Sequence, residues 1–271
     1  MSTSWNTTGG SPRFPAGTFT PDPRPSSAAR RAVSTAVLDL RLLVRNGEQL
    51  LLALVIPLAA LIGGTYITVI DLPEPRIAAV TPGVLALAVL STAFTAQAIT
   101  TGFDRRYGVL RRLAAAGMGR LQLVLSKVLA ALVVILGQYV VLLAVAALLG
   151  WRPAGAVVPA VAWTVLLTVL AAAAFLGLAL LLGGTLRAEA VLGLANLAWL
   201  LLVGLGGVIV PLTSAPGWLA TVGALTPSGA LSQGLRAVLQ DGHAPSAGVI
   251  LVLLGWTALG WAGTVTWFKW Q

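Results

Sequence analysis

Six stretches without a single charged residue dominate the chain: 49–70, 77–103, 128–151, 153–186, 190–235 and 244–268. A helix needs about 20 apolar residues to cross the hydrocarbon of a bilayer. The first four stretches and the last each hold one such helix. The fifth is long enough for two, but Pro216, Gly217, Pro227 and Gly229 interrupt its second half. Proline lacks a donor N–H and collides with the preceding helical turn, so no continuous helix runs through that half. The pattern there predicts one span, about 191–210, followed by short half-helices that lie at the far surface or re-enter it. Backbone that is not helical at membrane depth must find its partners in protein or water. The chain as a whole predicts an all-α integral membrane protein of six transmembrane helices.

A different periodicity precedes the first span. Val33, Ala36, Val37, Leu40, Leu43 and Val44 recur at helical spacing, while Arg31, Asp39, Arg41 and Arg45 fill the remaining positions. One apolar face opposite a charged one predicts an amphipathic helix lying along the membrane interface, with Asn46-Gly47 as its stop signal. Residues 1–29 are rich in Ser, Thr, Pro and Gly. Such a segment cannot bury enough apolar surface to fold alone, which predicts a disordered cytoplasmic tail. It lacks the basic start and apolar core of a signal peptide. The Arg30-Arg31 pair does not make a twin-arginine signal, because Asp39, Arg41 and Arg45 interrupt the apolar region that should follow. The expected organisation is therefore a tail (1–29), a connecting amphipathic helix (30–47) and a six-span domain (48–271).

Composition agrees with this pattern. The chain is 58% hydrophobic and 9% charged, with a mean hydropathy of +0.93, against roughly 25% charge in soluble domains. The net charge of +9 could suggest nucleic acid, but the cations flank the spans, so topology accounts for them and no nucleic-acid partner is expected. An even number of spans puts both termini on one side. With that side cytoplasmic, Arg13, Arg24, Arg30, Arg31, Arg41, Arg45, Arg105, Arg106, Arg111, Arg112, Arg120, Lys127, Arg187 and Lys269 lie inside, and Arg76, Arg152 and Arg236 outside. The asymmetry satisfies the positive-inside rule. Two lysines among seventeen cations, with abundant Ala, Leu, Val and Gly, suit a GC-rich, actinobacterial genome and hence a bacterial plasma membrane.

Catalytic chemistry is hard to find. There is no cysteine, hence no disulfide frame, thiol nucleophile or Cys-based metal site. The one histidine, His243, falls in an outside loop, and none of the eight acidic residues falls mid-span. That argues against a carboxylate ion relay and an intramembrane hydrolase. Neither lysine sits in a P-loop, so ATP, if it drives this protein, is bound by another subunit. Gln97, Gln138 and Asn196 are the amides within spans. They are candidates both for hydrogen bonds between helices and for lining a substrate pathway. Glycines at 183, 184, 204, 206 and 207 suit close helix approach, and the Trp-rich end around Trp267 suits interfacial anchoring.

The densest charge lies between the second and third spans. The island 104–127, DRRYGVLRRLAAAGMGRLQLVLSK, holds six of the seventeen cations. Its first half predicts a short helix from Asp104 to about Ala115, with Asp104 as N-cap, Leu110 and Leu113 as an apolar spot, and Gly117 and Gly119 as its end. This segment resembles the loop between spans two and three of ABC-2 type permeases, the membrane subunits of one class of ATP-binding-cassette exporters. That loop typically reads Glu-Arg-Glu-x-Gly-Thr-Leu-Glu-x-Leu, followed by Arg and then Gly-Lys. Asp104 stands for the first acid; Arg105, Gly108, Leu110, Leu113, Arg120 and Lys127 match. Arg106 and Arg111 replace acids, Val109 replaces Thr, Ala116-Gly117 replaces Thr-Pro, and Ser126 replaces Gly. The family's half-helices between spans five and six resemble Pro216-Gly217-Trp218-Leu219, Pro227 and Leu235-Arg236, and the variant looks closest to the daunorubicin-exporter-like branch.

The resemblance covers about 30–268. It implies that two permease copies, identical or homologous, pair in lipid and that each meets an ABC ATP-binding subunit carrying ATP and Mg. The chain itself would hold no cofactor and no catalytic or metal residue. The connecting helix (Arg31, Leu40, Arg41, Arg45) and the coupling loop 103–120, centred on Asp104, Arg105, Gly108, Leu110, Arg111 and Leu113, would dock on that ATPase. The half-helix region 211–245, with Pro216, Trp218, Pro227 and Arg236, would be extracellular. ATP-driven export of a hydrophobic or amphipathic drug, lipid or natural product would follow. An ATP-independent transporter or channel, or a membrane scaffold without transport, are the alternative readings of the residues.

Overall fold

The computed structural model describes residues 27, 30, 33, 34, 37, 47–68, 72–115, 117 and 119–268. Arg31, Leu40, Arg41 and Arg45 of the expected connecting helix lie outside the described residues, as do most of the tail and Lys269. Arg30, Val33, Ser34 and Val37 are helical, with both valines exposed.

The described residues form helices α1 (Gly47–Tyr66), α2 (Arg76–Val89), a π-helical turn (Leu90–Ala96) and α3 (Gln97–Arg106). Then follow α4 (Val109–Ala115), α5 (Arg120–Leu148), α6 (Val157–Thr185), α7 (Ala188–Leu205), a 3-10 turn (Leu212–Ser214), α8 (Gly217–Ala224), α9 (Pro227–Leu239) and α10 (Ala247–Trp267). No strand occurs among the described residues. Five helices are long and apolar enough to cross a membrane: Arg76–Arg106, Gln122–Leu148, Val157–Thr185, Ala188–Leu205 and Ala247–Trp267. A shorter apolar helix, Leu54–Tyr66, makes up most of α1.

The helix Arg76–Arg106 is the axis of the bundle. Its most apolar window is 89% buried, against 22% for α7 and 28% for α10. Almost every side chain of α2 is inside protein, which explains why its apolar residues continue around the whole helix rather than forming one stripe. The π turn sits mid-way along it and widens the helix where two hydroxyls face neighbours. Ser91 accepts from Trp199 Nε1 of α7 (2.9 Å), and Thr92 donates to Gln138 Oε1 of α5 (2.9 Å). A π turn leaves backbone geometry irregular, and such turns concentrate where side chains must reach across. Phe94 of the same turn packs against Phe175 of α6, centroids 6.4 Å apart.

Helices α6 and α10 meet most closely where Gly177 faces Gly260. A Cβ on either glycine would come within about 3 Å of the other's backbone, and Thr264 Oγ1 donates to Gly177 O across the seam (2.8 Å). Small residues that let helix backbones touch, reinforced by a hydroxyl bond, are the usual adhesive between helices in lipid, where apolar burial alone gives no preference for protein over acyl chain.

The bundle has two distinct ends. One carries the end of α3, all of α4, the start of α5, the α6–α7 corner and the end of α10, which meets the corner where Phe268 packs on Gly184. Arg105, Arg106, Arg111, Arg112, Lys127 and Arg187 belong to this basic end. The opposite end carries α8 and α9 and is tied to the α5–α6 loop by Ala154 N donating to Leu239 O (3.0 Å).

That opposite end corrects one expectation. Helix α7, expected as a span to about 210, stops at Leu205, and the chain unwinds through Gly206 and Gly207, the latter at φ +61. Arg236, expected among the half-helices, is a buried residue of α9, 8% exposed. It donates to Ala79 O of α2 and to Gly207 O and Val208 O of the unwound segment (2.9 and 3.2 Å for the last two). Helix α9 starts at Pro227 with Thr226 as N-cap, its Oγ1 accepting from Gly229 N (3.0 Å). Pro216 is the N-cap of α8, and Trp218 lies exposed on it.

Candidate functional site

The basic island does not fold as one helix with Asp104 at its start. Helix α3 runs through Asp104 and Arg105 to Arg106, and the chain turns at Tyr107-Gly108 before α4 begins at Val109. Asp104 lies inside a helix, where backbone N–H groups are already engaged, and it caps nothing. The turn needs Gly108, which sits at φ +70, a left-handed conformation that a Cβ disfavours. Gly108 N donates to Arg105 O (3.1 Å), and Arg112 N donates to Gly108 O (3.2 Å), so the two helices are joined by hydrogen-bonded turns. Gly117 at φ +79 closes α4 on its other side, and Gln122 reaches back to accept from Gly119 N (3.2 Å) at the start of α5.

Three consecutive side chains leave the end of α3 for three different elements. Asp104 accepts from Lys127 Nζ of α5 at 3.1 Å, with the lysine side chain 6% exposed and the carboxylate 26%. Arg105 donates from one Nη to Gly184 O and from the other to Leu186 O at the end of α6. Arg106 pairs with Glu189 in the first turn of α7. The Arg105 bonds satisfy carbonyls that a helix C-terminus leaves without intrahelical partners and set a cation against the negative end of the helix dipole. Glu189 in turn suits the positive N-terminal end of α7. The exposed Arg106–Glu189 pair is worth a few tenths of a kcal/mol to about 1 kcal/mol. The shielded Asp104–Lys127 pair matters more, because losing one partner strands the other in low dielectric.

Helix α4 has an inner and an outer side. Leu110 is fully buried and pins α4 to the bundle, while Leu113 is half-buried. Arg111, Arg112, Ala114 and Ala115 are exposed, as is Tyr107 at the turn. Tyr107 stacks on Phe103 with centroids 6.0 Å apart, and the Arg106 guanidinium lies 5.9 Å from its ring centre. The expected coupling residues therefore take different places. Asp104, Arg105 and Leu110 face the interior of the bundle, Gly108 makes the turn, Leu113 is half-buried, and Arg111 faces outward, as does the neighbouring Arg112. The positive charge at Arg106, unusual against the permease pattern, has a local reason in Glu189. Nothing among the described residues explains Arg111.

The span amides also divide. Gln97 and Gln138 are buried in the bundle, Gln138 bonded to Thr92. Asn196 lies on an exposed face of α7 with no hydrogen-bond partner among the described residues, between Gly193 and Gly204, whose Cα positions have open space beside them. At the other end, His243 is solvated, 3.9 Å from Asp241. No group of three or more metal-ligating side chains occurs among the described residues. Sequence reasoning did not single out Glu189 or the Gly184 and Leu186 carbonyls. Glu189 left one signal, an acid in the first turn of a span at an otherwise basic end; the carbonyls left none, because every residue has one.

A bundle of apolar spans, with a short helix held between two of them at the basic end, defines a multi-pass membrane protein. Its sequence matches the ABC-2 type transporter family over residues 37–239. The chain belongs to that family, whose domain is a transmembrane transport component and not itself a catalyst. None of the curated proteins matches the chain closely enough to name a relative.

Proposed function

We propose that the chain is the membrane-spanning subunit of an ATP-driven exporter, with α1 completing six spans, both termini cytoplasmic in a bacterial plasma membrane, and ATP and Mg bound by a separate ABC subunit. The observation that carries this reading is α4. It is pinned inward by Leu110, presents Arg111 and Arg112 outward, and is bounded by two left-handed glycines at the basic end of the bundle. A short helix so placed is a surface on which a soluble subunit can push. Positive charge concentrated at that end favours a cytoplasmic location. Family membership supports an ATP-binding partner.

The cargo fits the same reading. The exposed faces of the spans are largely apolar, and the cavity between α1 and α2, about 460 Å³, is lined by Ala59, Gly63, Val80, Val84, Leu87 and Ile209 among others, together with Arg76. Walls of that kind suit a hydrophobic or amphipathic substrate such as a drug, lipid or natural product. A second copy or homologue is the natural cover for the open face of α7.

The test is co-purification from membranes with an ATP-binding subunit that carries a P-loop. The unsubstituted chain retains that subunit through purification. Arg111→Glu combined with Arg112→Glu reverses the outward charge of α4 and lowers its recovery at least tenfold, while the permease still inserts. Equal recovery of the ATPase with the double variant rules out α4 as its docking surface.

A further inference from the structure

We propose, on the basis of the exporter reading, that Arg105 is a positioning residue that ties the coupling helix α4 to the α6–α7 corner, so that a push on α4 moves the basic ends of the second, fourth and fifth spans as one block. Asp104, Arg105 and Arg106 are adjacent in the chain yet bond α5, α6 and α7 respectively. The three links differ in stiffness. Arg106–Glu189 is solvated on both sides and yields easily. Asp104–Lys127 is shielded but joins two elements already connected through α4 and its loop. Arg105 is the one link of the three that carries the corner with a rigid two-pronged grip: a planar guanidinium holds its donors in a fixed fork, and both prongs end on backbone rather than on a flexible side chain.

Backbone packing one turn above the grip stiffens it. A Cβ at Gly183 would lie 2.7 Å from Ala98 O and 3.1 Å from Gly102 N of α3, and one at Gly102 would lie 3.3 Å from the Val191 side chain of α7. Helices α3, α6 and α7 are thus in close contact one turn from where Arg105 locks them. Between α3 and α4 stands the short turn at Gly108, hydrogen-bonded on both sides. Displacement of α4 is passed into α3 through that turn and into the corner through Arg105. This arrangement also accounts for an arginine rather than a lysine at 105, since a single ammonium on a flexible stem does not reproduce the planar two-pronged grip.

The chain contains no cysteine, so two introduced cysteines can be spin-labelled cleanly. Leu192→Cys, exposed on α7 near the corner, and Leu148→Cys, exposed at the opposite end of α5, report movement of the corner against a distant reference. With the ATP-binding subunit bound, ATP plus vanadate is expected to change their separation by about 2 Å or more, the scale of helix shifts in switching proteins. Arg105→Gln reduces that change at least twofold, and Arg105→Lys, which keeps the charge and one prong, gives an intermediate change. A role in stability alone would lower the melting temperature of Arg105→Gln and leave the nucleotide-dependent change intact; that result overturns the inference. Arg105→Lys carries the test if the glutamine variant fails to fold, and a full-sized change in the lysine variant also overturns the fork argument. No change in the unsubstituted complex overturns the exporter reading itself, and the role of Arg105 with it.

Discussion

The Lys127 side chain is 6% exposed, and its ammonium donates to the carboxylate of Asp104. A neutral amide at 104 has the same shape and loses the charge, so Asp104→Asn isolates the electrostatic part of the pair. Stranding a shielded cation costs about 2–4 kcal/mol, somewhat less than a fully buried case because Asp104 keeps some contact with solvent. Asp104→Asn is expected to lower the thermal unfolding temperature in detergent by several degrees, and Asp104→Leu with Lys127→Met to recover at least half of that loss. A double variant no better than the single one would mean that the two side chains are not coupled. Residue identity was legible here and pairing was not. The chain shows Asp104 and Lys127 at opposite ends of one basic island; only the return of α5 against α3 puts them 3.1 Å apart.

At the level of elements, α9 shows how a surface segment becomes interior. Its apolar and small residues pack on α2, α6 and α10, and that packing carries Arg236 to three backbone carbonyls. The carbonyls at 207 and 208 are free because the fifth span unwinds after Leu205, and an unwound backbone inside a bundle needs donors. Arginine supplies several from one side chain. Arg236→Met keeps length and removes the donors, at a cost of about 2–4 kcal/mol. Amide hydrogen exchange over 206–211 is expected to quicken at least tenfold, with little change in α5. Unaltered exchange there would show that the segment is held by packing alone. The prolines at 216 and 227 marked in the sequence where the short helices α8 and α9 start, since proline suits the first helical positions; Pro82, inside α2, shows that proline alone does not end a helix. They said nothing about the depth at which Arg236 of the half-helix region would sit.

For the whole molecule, the open side of α7 is where the proposed second copy would sit. Asn196 sits mid-span on an exposed face with no partner among the described residues, and an amide in hydrocarbon is costly without one. An asparagine both donates and accepts, so it can bond its own copy, and the open glycines at 193 and 204 would admit a neighbouring helix closely. Asn196→Cys, in a chain otherwise free of cysteine, is expected to crosslink to a second copy in native membranes with a short bis-maleimide. Leu136→Cys, also exposed and on α5, serves as the control and should give at least fivefold less dimer. Equal crosslinking at both positions would place the contact elsewhere or mark it as random collision.

The sequence by itself determined that this chain lives in a membrane, where most of its long apolar helices fall, which end is basic, and that the basic island would hold a short helix ended by glycine. Those properties follow from hydropathy, charge and backbone freedom, which are carried by residues locally. Tertiary structure decided where α3 ends, which cations of the island are exposed and which are engaged, and why Arg106 is positive. It also set Arg236 of the half-helix region against the carbonyls of Ala79, Gly207 and Val208. Each of these depends on which helix end comes to rest beside which, and that is set by glycine contacts and packing between segments about 80 residues or more apart, as with Arg105 and Gly184 or Arg236 and Ala79.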